Sequence, residues 1–187
     1  MERGGNTEFW MIMWKRQYCT NVRDDIEELK KYYPFTSYIM PPTMELQPVH
    51  IRTIAADARI IKATNAIEQD FLGEYSKELE IIVPYDYKIT GCQVYGGKWI
   101  DKSKLTANDV HFYDKNSNGQ YLFCVGVPAS FSKLKNVILE NVRTAHRMLV
   151  AYELLQSGKT EKLELIAYAH GDEGCNEYER EAKKYKR

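Results

Sequence analysis

The stretch Tyr121–Gly158, YLFCVGVPASFSKLKNVILENVRTAHRMLVAYELLQSG, decides the fold. It opens with the short apolar run Tyr121 to Val127, which Pro128 closes because proline has no N–H to continue a ladder. Leu134, Val137, Ile138, Val142, Ala145, Leu149, Tyr152 and Leu155 then recur at helical spacing. This predicts a long helix with one apolar face, capped by Ser132 and stopped at Gly158. A helix of that kind needs a sheet to bury its face against.

The sheet is written upstream. Lys77 to Val83 (KELEIIV) alternates cleanly, and Gly91 to Tyr95 (GCQVY) follows a turn from Pro84 to Thr90. Val49 to Ala66 is rich in Ile, Val and Thr and alternates in part, which predicts two short strands around a turn at Asp57-Ala58. Before it, Tyr38 to Pro48 with Pro41-Pro42 reads as an extended connector. Asn21 or Asp24 is expected to cap a first helix running to about Tyr32, with Ile26, Leu29, Lys30 and Tyr33 on one face and Pro34 as its stop. From Lys98 to Tyr121 the pattern is irregular and polar, with a turn signal at Asn116 to Gly119. A short apolar piece, Leu163 to Tyr168, precedes the turn His170 to Gly174. Segregated strands and helices mean an α+β fold with about four antiparallel strands.

With 187 residues the chain is expected to be one domain spanning 1–187, with residues 1–20 and 177–187 as mobile ends. Lys and Arg number 26 and Asp and Glu 26, so no bulk charge argues for a nucleic-acid or acidic-membrane partner. No window approaches the roughly 20 apolar residues of a membrane span. The apolar patch Phe9 to Trp14 lacks the flanks of a secretory signal, so a cytoplasmic location is expected. Cys19, Cys92, Cys124 and Cys175 form no CxxC pair, so the spacing predicts neither a zinc site nor a redox pair, and no cofactor is expected.

Cys124 has the most informative surroundings. It follows the long irregular segment and precedes a Gly-x-Pro turn, so it reads either as a space-filling residue of a buried strand or as a thiol displayed beside a loop. A displayed thiol suits acyl transfer, because a thiolate is both a good nucleophile and a good leaving group. His111 and His170 are the histidines expected near it, each with a structural or surface role as the alternative. His146 falls on a helix face.

Two passages carry a family resemblance. From Leu79 to Tyr95 the chain resembles the strand, turn and strand of ubiquitin-conjugating enzymes, with Pro84, Asp86 and Tyr87 matching the turn and Lys88 and Gly91 standing where later prolines usually fall. Residues Asn118 to Pro128 (NGQYLFCVGVP) resemble the active-site run of that family, with Cys124 in the catalytic position. The family's His-Pro-Asn motif is present only as His111-Phe112-Tyr113, without its oxyanion-stabilising asparagine; Asn116 and Asn118 are substitutes that the sequence does not separate. The order of cysteine, long helix and His170-Gly171-x-x-Gly174 is more similar to bacterial members, found in antiphage operons of the short type II CBASS kind and in bacterial ubiquitin-like conjugation operons.

The resemblance implies a ubiquitin-conjugating (UBC-like) fold: an N-terminal helix, a four-stranded antiparallel meander, and a long helix after the active-site segment. It implies that Cys124 accepts the C-terminal carboxyl of a partner protein as a thioester and passes it to an amine. The implied partner is the C-terminus of a cGAS-like nucleotidyltransferase, primed thereby in antiphage defence, or a ubiquitin-like protein. Two other readings stand beside it: an inactive relative that binds a partner tail, and a hydrolase using Cys124 with His170 as general base.

Overall fold

The computed structural model describes residues 4–45, 47–55 and 76–163. Helix α1 spans Gly4–Tyr32. Strands β1 (Ser37–Met40), β2 (Val49–Ile54) and β3 (Glu78–Val83) follow, then a single helical turn α2 (Tyr87–Thr90) and β4 (Gln93–Gly96). After two 3-10 turns at Lys102–Lys104 and Ala107–Asp109 come β5 (Phe112–Lys115), β6 (Tyr121–Phe123), the short helix α3 (Pro128–Phe131) and the long helix α4 (Val137–Gln156).

The architecture is α+β, and the sheet has six antiparallel strands among the described residues, in the order β1-β2-β3-β4-β6-β5. The expected four strands are therefore too few. β1 lies at one edge, is four residues long and alternates only between exposed and half-buried. β5, at the other edge, exposes Tyr113, Asp114 and Lys115 in succession. Neither strand has the apolar alternation that makes a half-buried strand legible. Of the two strands expected within 49–66, the first is β2, and the second lies outside the described residues with its turn.

β3 shows why the central strands form where they do. Leu79, Ile81 and Val83 are fully buried while Glu78, Glu80 and Ile82 alternate on the other face. The buried face meets α1 through Val22, Ile26 and Leu29, and α4 through Val137, Ile138, Val142, Ala145 and Leu149, in one continuous core. With roughly 1.5–3 kcal/mol per fully buried aliphatic side chain, this sandwich of helices on one sheet face supplies the main stabilisation.

Both helix starts differ from the sequence reading. α1 begins at Gly4, well before Asn21 or Asp24, because its first turns carry apolar residues on every side and give no one-sided period. α4 begins at Val137, not after Ser132. Asn136 is its cap: the side-chain oxygen accepts from Leu139 N at 2.9 Å, and the side-chain amide donates to the Asp25 carbonyl at 2.8 Å. Gly158 ends the helix region as expected, with φ +71°.

A buried polar junction ties α1 to α2 and α4. The Asp25 carboxylate accepts from the Tyr87 hydroxyl at 2.6 Å and pairs with Lys88. The Asn141 side chain accepts from the Cys92 backbone N–H at 2.8 Å, and the Tyr18 hydroxyl donates to the Val83 carbonyl at 2.9 Å. Among the described residues no buried side-chain nitrogen or oxygen lacks a partner, so each buried polar group of the junction is paired.

Candidate active site around Cys124

Cys124 sits one residue beyond the end of β6, where the hairpin with β5 opens into the Val125–Val127 loop. The hairpin register pairs Phe112 with Phe123, and the Cys124 N–H donates to the His111 carbonyl at 3.0 Å. Cys124 and His111 are thus neighbours across the opening of the hairpin, joined through their main chains. The His111 N–H in turn donates to the Tyr152 hydroxyl at 3.1 Å, and that hydroxyl donates to the Asp109 carbonyl at 2.6 Å. Tyr152 is fully buried on α4, and burial pushes its phenol up to about 12. The long helix therefore fixes the backbone that faces the cysteine.

The Gly126 backbone N–H and the Tyr113 hydroxyl are the groups beside the Cys124 sulfur that favour its thiolate. Partial burial outweighs them, so the thiol is held above its ordinary value. Tyr113 is raised as well, chiefly by its own desolvation and then by the sulfur beside it. The loop that presents the Gly126 N–H depends on glycine. Gly126 has φ +148°, and a Cβ there would stand 2.9 Å from the Phe131 ring, while a Cβ on Gly91 would stand 2.5 Å from the other edge of the same ring. Phe131, buried on α3, fills the space that these two glycines leave and sets the curvature of the loop.

The two other described cysteines differ from Cys124. Cys19 is buried, its sulfur 3.2 Å from the Thr43 carbonyl, and Cys92 is buried at the junction above. Cys124 is the partly buried member of the described set, the other two being buried. His170 and Cys175 lie outside the described residues, as does most of the segment Leu163 to Tyr168. His146 lies on α4 with Nδ1 3.2 Å from the Tyr33 hydroxyl, on the helix face expected for it.

Neither Asn116 nor Asn118 is at the thiol. Asn116 holds the far end of the hairpin, its side-chain oxygen accepting from Asn118 N and Gln120 N at 3.0 Å each. Three to four residues of strand, on the order of 10 Å, separate that turn from Cys124. The groups the sequence reading missed are Tyr113 and Gly126. Tyr113 stood in plain view at the third position of His111-Phe112-Tyr113, but only the hairpin register puts it diagonally across from Cys124.

Chemically, this is a partly buried thiol at a loop, with a hydroxyl and an amide N–H beside it. It can attack an activated acyl carbon, and it can leave again when an amine attacks the thioester. Among the described residues no group of His, Cys, Asp or Glu could hold a metal ion, and no helix is long and apolar enough to cross a membrane. Comparison with known proteins found no matching family model, no matching curated protein and no matching solved structure.

Proposed function

We propose that this chain is a UBC-like conjugating enzyme that carries an acyl group on Cys124. The observation that carries the proposal is the position of that thiol at the hairpin exit, partly buried, its N–H on the His111 carbonyl at 3.0 Å and the Gly126 N–H and Tyr113 O–H beside its sulfur. An N-terminal helix, a β1-to-β4 meander, a cysteine-bearing hairpin and a long following helix, in that order, support the same reading. In the reaction the sulfur attacks an activated C-terminal carbonyl of the partner, the activating group leaves with its electron pair, and the thiol proton passes to solvent. An amine then attacks the thioester and the sulfur departs. Both groups beside the sulfur stabilise the thiolate that enters the first step and leaves the second. The acyl donor is the C-terminus of a cGAS-like nucleotidyltransferase, primed for antiphage signalling in the cytoplasm; a ubiquitin-like protein is the alternative donor.

The test is intact mass of the chain purified with its partner, with and without thiol reductant. The expected result is a reductant-sensitive adduct that Cys124→Ala abolishes and Cys124→Ser converts to a reductant-resistant ester. An adduct unchanged in Cys124→Ala overturns the proposal. The raised thiol favours one second reading, a binding module for a partner tail, in which Cys124→Ala retains both partner binding and full biological activity.

A further inference from the structure

The first turns of α1 form an arm whose residues Phe9, Trp10, Met11, Ile12, Met13 and Trp14 are each 45 to 65% exposed. Six successive helical residues at 100° steps face every direction, so this band of about 9 Å is apolar all round. By their exposed fractions the six side chains present on the order of 700 Å² to solvent, more than the 300–600 Å² of the largest patch on an ordinary monomer. The band is bounded by Glu8 on one side and by Lys15 and Arg16 on the other.

A lipid surface does not suit it. A helix lying on a bilayer needs a polar face, which the band lacks, and a spanning helix needs about 20 apolar residues. Charge placement points to another occupant. Glu8 and Lys15 are seven residues apart, hence on one face, with Met11 and Ile12 between them. That face continues the stripe that Tyr18, Val22, Ile26 and Leu29 bury against the sheet further along the same helix.

We propose that two copies of this chain pair through these arms, antiparallel about a two-fold axis passing between Met11 and Ile12. In that arrangement Met11 of each copy meets Ile12 of the other, and Glu8 of each meets Lys15 of the other, so both ends of the contact are charge-matched. A parallel pair sets Glu8 against Glu8 and Lys15 against Lys15. The flanking Phe9 and Trp14 close over the seam, with Trp14 already braced by Tyr18 and Tyr85 on its own copy, at ring-centroid separations of 6.4 and 6.0 Å. Trp10 and Met13 lie on the outer side, at the rim. The contact is isologous, so each side-chain pair occurs twice and each substitution counts twice.

Sedimentation velocity on the full chain across a concentration series tests this, with circular dichroism and thermal midpoint as the folding control. The wild-type chain is expected to dimerise, and Ile12→Lys to give monomer with an unchanged circular dichroism spectrum and the thermal midpoint that the wild-type chain shows when diluted to monomer, because Ile12 is exposed and outside the core. Glu8→Lys and Lys15→Glu are each expected to raise the dimer dissociation constant about tenfold, and the double variant to return it to within about twofold of wild type. A wild-type chain that stays monomeric, or that binds anionic vesicles without dimerising, overturns the proposal. So does a dimer indifferent to Ile12→Lys, and a double variant that stays as weak as its parents overturns the antiparallel arrangement. None of these outcomes depends on the chemistry of Cys124.

Discussion

Cys92 and Cys124 sit at adjoining ends of two paired strands, one just before β4 and the other just after β6. Their surroundings differ in every respect that governs a thiol. Cys92 is wholly enclosed, its backbone N–H bound by Asn141, and burial with the Asp25 carboxylate nearby pushes its thiol far up. Cys124 is raised too, but it is only partly buried, and the Gly126 N–H and the Tyr113 hydroxyl work against the rise. One thiol is enclosed in the packing of the core and the other stands at its edge, although the strand ends they occupy are alike. The difference teaches that position in a sheet does not decide the use of a cysteine; what packs over the strand end does.

The comparison is most easily broken with an alkylating agent. In the native protein Cys124 is expected to react at least about a hundredfold faster than Cys92, read by site-resolved mass spectrometry, and Cys92 to react only as the chain unfolds. Comparable rates would erase the distinction. On the buried side, Asp25→Ala is expected to cost about 2–4 kcal/mol in urea unfolding, since it strands the Tyr87 hydroxyl and frees Lys88 from its partner. Asn141→Ala, which removes the acceptor for the Cys92 N–H, is expected to cost about 1–3 kcal/mol, with no change in Cys124 reactivity.

A pH series sharpens the same contrast. Cys92, Tyr18, Tyr87 and Tyr152 are all raised by burial, Tyr18 and Tyr152 up to about 12. The folded chain therefore keeps protons that the unfolded chain releases, and the stability these groups confer is full below their unfolded values and lost as pH rises. The urea midpoint is expected to hold near pH 7 to 8 and to fall steadily above about pH 9. A flat midpoint to about pH 11 would contradict the burial of these groups.

The smallest effect is expected on the exposed side. Tyr113→Phe removes a hydroxyl that favours the thiolate, so the thiol rises further and alkylation at about pH 8 slows by about two- to fivefold, with the rate–pH curve displaced to higher pH. Stability is expected to change by less than about 0.5 kcal/mol, because Tyr113 is exposed. An unchanged rate–pH curve would remove Tyr113 from the site.

Legibility followed burial. β3 and the apolar face of α4 were readable because one face of each is buried along its whole length, which writes a period into the sequence. β1 and β5 were not, since an edge strand with three exposed residues in a row has no such period. The start of α4 moved to Asn136 because the cap is chosen by a tertiary contact with Asp25 that local spacing does not contain. For the site, residue type and the Gly-x-Pro turn singled out Cys124, and the polar residues before it singled out His111. The groups beside the sulfur stayed hidden because what meets across a hairpin depends on its register.

By itself the sequence determined the α+β class, the helix that must cover the sheet, and the one cysteine with a loop on its far side. These follow from local periodicity and from the backbone limits of glycine and proline, which act over a few residues. Only the tertiary structure decided that the sheet has six described strands, that Asn116 serves a turn while Tyr113 stands beside the sulfur, and that the apolar start of α1 stands in solvent. Each of those depends on which side chains meet across tens of residues of chain, and no local pattern carries that information.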